Sequence, residues 1–204
     1  YVATSAAVDG LKSMTQFTVS MWINVQGTLT AGDRVFCNTT RNTLNPGMDM
    51  YVIAPPAGTA LGAASFMLQM DIFNSATAYS TKATTVIGAD DSWLFVAFVF
   101  DGSARTLHAY SGDAAAAVAA LGNAATNTVT SLGASNLPIK LGGYSGTTES
   151  RTPGMLIDDF RIYNTALDSA ALEAIRLETI PEPATIALLA ARAVVAQFKR
   201  RRAN

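Results

Sequence analysis

Residues 17–25, FTVSMWINV, alternate over nine positions. Phe17, Val19, Met21, Ile23 and Val25 share one face, and Thr18, Ser20, Trp22 and Asn24 share the other. A period of two predicts a half-buried strand. Residues 65–73, SFMLQMDIF, repeat the pattern with Phe66, Leu68, Met70 and Ile72 on one side. Residues 91–101, DSWLFVAFVFD, are apolar on both faces, which predicts a central strand covered on both sides. Asp101-Gly102-Ser103 then turns the chain back through residues 106–110 to a second turn at Ser111-Gly112-Asp113, a hairpin pattern.

Shorter strands are expected at residues 34–38, 50–54 and 138–143. Residues 26–33, 39–49 and 144–153 are polar and carry Gly or Pro, so they read as turns and loops. Residues 114–135 are rich in Ala, Thr, Asn and Gly, and two short edge strands are read there. Residues 154–164, GMLIDDFRIYN, make the last strand, whose Leu156, Phe160 and Ile162 need a sheet to cover them. Its adjacent acids, Asp158 and Asp159, must face opposite ways, with Asp158 on the side of Phe160 and Ile162. Asp168 is a good N-cap for a helix running to Glu178, with Leu172 and Ile175 inward. Residues 179–183 break it, and residues 184–198 form a second helical run before Lys199-Arg200-Arg201-Arg202. About nine or ten short strands, with almost no helix before residue 168, predict an all-β sandwich.

Composition narrows the chemistry. The chain has 204 residues, half of them apolar, and a formal net charge of −1. No basic field exists to hold nucleic acid by counterion release. The lone Cys37 forms no internal disulfide, and with the lone His108 it builds no Cys/His zinc site. Cys37 reads as a small buried thiol and His108 as a sheet-face histidine. Met48, Met50, Met67 and Met70 read as core or sheet-face side chains at strand spacing, not as a soft-metal box. The first residue is Tyr1, so the expectation is a mature form or a fragment that has lost any signal peptide.

Three segments, in order, resemble one family. Residues 17–23 resemble the early FTvsaW strand of laminin G-like, concanavalin A-like domains. Residues 93–101 with 106–110 and Gly112 resemble the W-containing hairpin of those domains. Residues 154–164, with Ala166-Leu167 and Leu172-Glu173-Ala174-Ile175, resemble their closing IDdvRiyn signature. The resemblance covers residues 1–178 and implies a jelly-roll sandwich of two antiparallel sheets, one of them concave. The usual opening strand with its FDG motif does not precede Tyr1 in this chain, which leaves a sheet edge open to expectation.

Residues 179–204 resemble a PEP-CTERM sorting signal: Pro181, Glu182 and Pro183, then an apolar run, then Lys199, Arg200, Arg201 and Arg202. That resemblance implies export in a Gram-negative bacterium, processing by an exosortase-type membrane protease, and release to the cell surface or extracellular matrix. Residues 184–198 make about 22 Å of helix against roughly 30 Å of hydrocarbon, and Arg192 lies mid-run. The expected membrane contact is therefore transient, with the basic end on the cytoplasmic side. The other reading of this run is an amphipathic helix on the domain.

Some concanavalin-like relatives are glycoside hydrolases, which need two carboxylates across the scissile bond. Laminarinase-type relatives carry an E-x-D-x-x-E strand. Here Glu149, Glu173, Glu178 and Glu182 all lie outside strands, and Asp71 has no acid at i±2. No Ser/His/Asp arrangement or phosphate-cradling loop accompanies them. The expectation is a non-catalytic protein. No cofactor is expected. The family can hold a structural Ca²⁺ near Asp158 and Asp159; the other reading is that one Asp accepts loop hydrogen bonds and the other pairs with Arg161. The resemblance places sugar binding on the concave face or its rim, where Trp22, Asn24, Asn74, Tyr79 and Tyr144 are candidates; core packing is the competing role for Trp22 and Trp93. The functional expectation is an exported surface or matrix protein binding extracellular polysaccharide or a surface protein. The alternative is a structural subunit that self-associates through open sheet edges.

Overall fold

The computed structural model describes residues 2–40, 45–54, 67–75, 79–83, 92–126, 128–144 and 154–181. Within them the chain forms strands β1 (Val2–Ala7), β2 (Gln16–Val25), β3 (Arg34–Cys37), β4 (Met48–Ile53), β5 (Met67–Phe73), β6 (Tyr79–Ala83), β7 (Trp93–Asp101), β8 (Thr106–Asp113), β9 (Ala119–Ala120), β10 (Ala125–Thr126), β11 (Pro138–Leu141) and β12 (Met155–Tyr163), then helix α1 (Ser169–Glu178). Strands β1 and β6, VATSAA and YSTKA, lack the apolar alternation that marks the others. Their backbones are recruited by pairing, β1 with β11 and β6 with β5. The second helical run at residues 184–198 lies outside the described residues.

The strands make two sheets, β1-β11-β3-β4-β5-β6 and β10-β8-β7-β2-β12, with β9 attached to β8. Each recorded strand pair is antiparallel. This is the all-β sandwich expected from the sequence. Between the sheets lies one core: Phe17, Val19, Met21 and Ile23 of β2 and Val96, Phe98 and Phe100 of β7 meet Phe36, Met48, Met50, Val52, Leu68, Met70 and Ile72. Burying each such side chain is worth ~1.5–3 kcal/mol.

The second sheet is covered on its other face as well. Trp22, Phe95, Ala97 and Val99 pack beneath Leu172 of α1, with Ile175 and Ile180 alongside. Strand β7 therefore has apolar cover on both faces, as its sequence predicts. Strand β2 does too, which corrects the half-buried expectation: Thr18, Ser20, Trp22 and Asn24 are all buried. Trp22 makes the difference, because its indole needs the helix to cover it. The Nε1 of Trp22 donates to Thr179 Oγ1 at 2.9 Å, just past the helix. Asp168 caps the helix start, accepting from Ala171 N at 2.8 Å.

Two expectations at the ends of strands are also corrected. The turn read at Ser111-Gly112-Asp113 is strand, with Gly112 paired to Phe95. Glycine serves packing there: a Cβ at Gly112 would stand 2.9 Å from Arg176 Cδ of the helix above. In β12 the alternation does not run straight through. Asp158 pairs with Trp22 but Arg161 pairs with Ser20, three steps against two, so a β-bulge intervenes. Asp159 absorbs it at φ 48°, a left-handed conformation that Asp adopts more readily than most residues. Met155 and Ile157 face the core before the bulge, and Phe160 and Ile162 after it. Leu156 is consequently 46% exposed rather than buried. Asp158 is exposed too and falls on the side of Leu156, not of Phe160.

Candidate ligand-binding face

The same alternation that fills the core from β4 and β5 sends a polar set outward. Met48, Met50 and Val52 point in, so Asp49 and Tyr51 point out; Leu68, Met70 and Ile72 point in, so Gln69 and Asp71 point out. A register shift in β3 sets Arg34 beside Tyr51 and Cys37 beside Asp49. Strand β11 adds Lys140 beside Cys37, and Tyr144 follows it. The outer face of the first sheet thus carries two register rows, Arg34-Tyr51-Gln69 and Cys37-Asp49-Asp71.

These side chains hold one another. Tyr51 Oη donates to Asp71 Oδ2 at 3.0 Å. Gln69 Nε2 donates to Asp71 Oδ1 at 2.7 Å and to Tyr51 Oη at 2.5 Å. The carboxylate only accepts, so it fixes which end of the Gln69 amide faces it. The guanidinium carbon of Arg34 lies 4.3 Å from the Tyr51 ring centroid and 5.2 Å from that of Tyr144. Its Nε stands 3.4 Å from Asp49 Oδ2, an ion pair, and its Nη1 donates to Gly32 O at 3.1 Å. That Nε is buried without a hydrogen-bond partner among the described residues. Lys140 Nζ donates to Tyr144 O at 3.1 Å. Asp49 and Asp71 are buried, while Tyr51, Gln69, Lys140 and Tyr144 are half-buried. The arrangement is a rim of aromatic and amide groups held rigid by acids beneath it. Such groups suit the apolar faces and hydroxyls of a sugar.

Of the residues singled out by sequence, Tyr144 belongs to this face. Trp22 is fully enclosed beneath α1, and Asn24 is buried on the same side of β2. Trp93 packs against the Trp22 cluster. Asn74 lies beyond β5, where its Nδ2 donates to Ser131 O and Oγ, both at 3.0 Å. Tyr79 opens β6 as the register partner of Phe73. Trp22, Asn24, Asn74 and Tyr144 do not converge on one surface. The sequence reading missed Arg34, Asp49, Tyr51, Gln69 and Asp71. No acid lies two residues from Asp71 along the strand, whereas Asp49 stands directly across from it on the neighbouring strand. The polar beats of MDMYVI and MLQMDIF carried the signal.

Asp158 and Asp159 are both engaged by neighbouring groups of the chain. Asp158 Oδ1 accepts from Asp159 N at 2.8 Å, and Asp159 Oδ1 takes Arg161 Nε at 2.8 Å. Arg161 also reaches Glu178 at 3.3 Å, so the guanidinium bridges the bulge and the end of α1. The pair raises the pKa of Arg161, chiefly through hydrogen bonds to Tyr163 and Asp159. No group of three His, Cys, Asp or Glu side chains suited to a metal exists among the described residues. Sorting-motif residues Glu182, Pro183, Lys199, Arg200, Arg201 and Arg202 lie outside the described residues, and Pro181 is the last described. Among the described residues no helix is long and apolar enough to cross a membrane.

The fold is shared with solved structures. A heptameric SAP-like pentraxin from Limulus polyphemus aligns at TM-score 0.55 and 15% identity, over 81% of this chain and 71% of that one. A botulinum neurotoxin type C structure aligns at 0.56 and 16%, over 80% of this chain but 36% of the toxin chain. Domain 4 of AbnA, an extracellular arabinanase from Geobacillus stearothermophilus solved with arabinotriose, aligns at 0.50 and 19%, over 83% and 70%. No curated protein matches the chain. A family model described as the Concanavalin A-like lectin/glucanases superfamily matches residues 1–172, the span of both sheets and the start of α1, and the chain belongs to that superfamily.

Proposed function

We propose that the protein is a non-catalytic carbohydrate-binding module that takes an extracellular polysaccharide on the outer face of the first sheet. The observation that carries this reading is the face itself: Tyr51, Tyr144 and Gln69 at the rim, with Arg34, Asp49 and Asp71 fixing them from below. Aromatic walls beside preorganised polar groups are what a sugar site requires, since rigidity lowers the entropic cost of binding. Other proteins of this fold add support: the AbnA domain was solved with arabinotriose, and cell entry of the type C toxin is described as dependent upon interaction with two ganglioside molecules. The non-catalytic part rests on Asp71 and Asp49. Both are buried, and each is engaged by a neighbour, so neither is poised across a scissile bond.

The reading extends to location. The protein is exported in a Gram-negative bacterium, and residues 179–204 act as a PEP-CTERM tail that an exosortase-type protease removes after transient membrane contact. In support, the last anchored residues of the domain, Thr179 and Ile180, directly precede Pro181 of the motif. Cleavage beyond that point spares the Trp22 anchor.

A glycan array probed with the full chain tests the binding reading. Reproducible sugar binding that weakens in Tyr144→Ala supports it; silence across the array sinks it. A reporter fused to residues 179–204 in an exosortase-positive host tests the sorting reading, and an uncleaved, unretained reporter refutes it.

A further inference from the structure

Strand β12 ends the second sheet: β2 pairs with one of its sides, and among the described residues no strand pairs with the other. Its core-facing Met155, Ile157, Phe160 and Ile162 are only partly buried, whereas Val19, Met21, Ile23 and Val25 of β2 are enclosed. On the outer face Leu156 is exposed. Leu177 of α1, beside the Glu178 that reaches Arg161, is exposed as well. A nine-residue edge with open apolar side chains is a template for a further strand. The bulge decides which strand fits. Bulges commonly guard an edge by breaking its pairing. Here the bulge lies mid-strand and leaves a regular run on each side, residues 155–158 and 161–163. In a two-fold antiparallel pair, facing residues share one side of the sheet. Along an unbroken strand the outward positions would be all even or all odd, and Asp158 could never meet Arg161. Across the bulge the outward set changes from Leu156 and Asp158 to Arg161 and Tyr163.

We propose that two copies of the chain pair antiparallel through their free β12 edges, about a two-fold axis at the bulge, and so join their second sheets into one. In this register Asp158 stands opposite the second copy's Arg161, Leu156 opposite its Tyr163, and Ile157 opposite its Ile162. The ladder is interrupted only at the axis, where the two bulges meet. The charged groups have ends to spare. Asp158 accepts from Asp159 N through Oδ1, which leaves Oδ2. Arg161 spends Nε on Asp159 and Nη1 on Glu178 and Tyr163, which leaves Nη2 with no partner among the described residues. Asp159 and Glu178 hold Arg161 in place but keep this corner acidic. The contact with Asp158 therefore sets register, and the apolar pairs supply affinity. The polar face lies on the first sheet, so the dimer leaves it open and presents it twice; a repeating polymer would be held at two points. The dimer stands whether or not that face binds sugar.

Sedimentation velocity of the full chain, from micromolar to millimolar concentration, is expected to show a monomer–dimer equilibrium. Leu156→Cys mixed with Tyr163→Cys is expected to cross-link through a short bis-maleimide at least tenfold faster than either variant alone. In this register each of those positions faces the other, while it lies about 23 Å from its own counterpart, seven residues along the strand. Cys37 is buried and does not compete. Asp158→Arg and Arg161→Glu each set like charges opposite one another, and mixing them restores opposite charges. The equimolar mixture is expected to associate at least tenfold more tightly than either variant alone. Melting curves show which variants stay folded, and the cysteine pair decides if Arg161→Glu does not. A chain that stays monomeric throughout overturns the proposal. Leu156→Cys that cross-links to itself as fast as to Tyr163→Cys overturns it too. So does a dimer indifferent to both pairs of variants, which would assign association to residues 182–204 or to another edge.

Discussion

Asp49 and Asp71 stand directly opposite each other on β4 and β5, and both are buried, at 0% and 3% exposure. Like charges so placed repel across a sheet. Here Arg34 offsets the first, while Tyr51 and Gln69 donate to the second. Removing one member of a buried pair strands the other. Asp49→Ala is therefore expected to cost ~3–5 kcal/mol in urea unfolding, because it leaves the Arg34 guanidinium without its carboxylate. Adding Arg34→Met should recover a large part of that loss. Two additive single losses would show that the 3.4 Å pair is not coupled.

Trp22 ties the helix to the sheet it covers. Its ring lies 5.5 Å from Phe95 in an edge-on arrangement, and its Nε1 reaches Thr179 Oγ1. Trp22→Ala should cost ~3–5 kcal/mol through the cavity it leaves. Thr179→Val keeps the shape but strands the indole N–H, for a loss of ~1 kcal/mol. Equilibrium unfolding followed by fluorescence measures both. A Trp22→Ala protein as stable as the parent would mean that α1 contributes little to the fold.

The fold was legible wherever alternation was strong. FTVSMWINV, MLQMDIF and WLFVAFVFD became β2, β5 and β7, and the Asp168 cap and helix landed where capping chemistry placed them. What the sequence hid was pairing. A period-two pattern fixes which residues share a face, but not which residue on the next strand stands opposite. Asp49 and Asp71 are 22 positions apart in sequence and adjacent only through the β4–β5 register. The bulge at Asp159 was hidden for a related reason: one inserted residue reverses every later face, and no residue type there demands it. Trp22 carries two readings in the sequence, core packing and sugar platform, and it is α1 folding back over β2 that makes it core. The candidate site was legible only in its rim, through Tyr144.

Acid should loosen the helix before it unfolds the sandwich. Glu173 accepts from Arg176 Nε at 2.8 Å and Nη2 at 2.7 Å, and from Val118 N at 2.9 Å. Arg176, chiefly, holds the Glu173 carboxyl down to about 2, from an ordinary 4.5. A depressed carboxyl contributes stability that is complete above its unfolded value and lost as pH falls through the folded one. The contribution of this group should therefore fade between 4.5 and about 2. Fluorescence of the two tryptophans, followed against pH, reads the loosening. In Glu173→Gln the slope in that window should flatten. An unchanged slope would assign the acid response to other carboxylates.

Calcium should leave stability unchanged. One oxygen of each carboxylate is engaged within the chain, Asp158 Oδ1 by Asp159 N and Asp159 Oδ1 by Arg161 Nε, and the guanidinium already supplies positive charge at the bulge. Calcium needs six or more oxygen ligands. Melting the protein with millimolar calcium and again with chelator should give superimposable curves. A rise in melting temperature with calcium, abolished in Asp159→Asn, would place an ion at the bulge after all.

Entry into β12 depends on a close backbone crossing. Gln26 N and Gly27 N both donate to Gly154 O, at 2.9 and 2.8 Å. A Cβ on Gly154 would lie 2.7 Å from Gly27 C and 2.8 Å from Thr28 O, both backbone atoms that no rotamer change can move. Gly154→Ala should therefore push β12 away from the β2–β3 connection, at a cost of ~1–3 kcal/mol typical of overpacking. Gly10 supplies the control, since a Cβ there meets nothing within 4 Å. Gly10→Ala should stay within about 0.5 kcal/mol of the parent, as open surface positions do. If both substitutions prove equally mild in urea unfolding, the crossing is loose enough to yield, and the strand is held by its pairing with β2 alone.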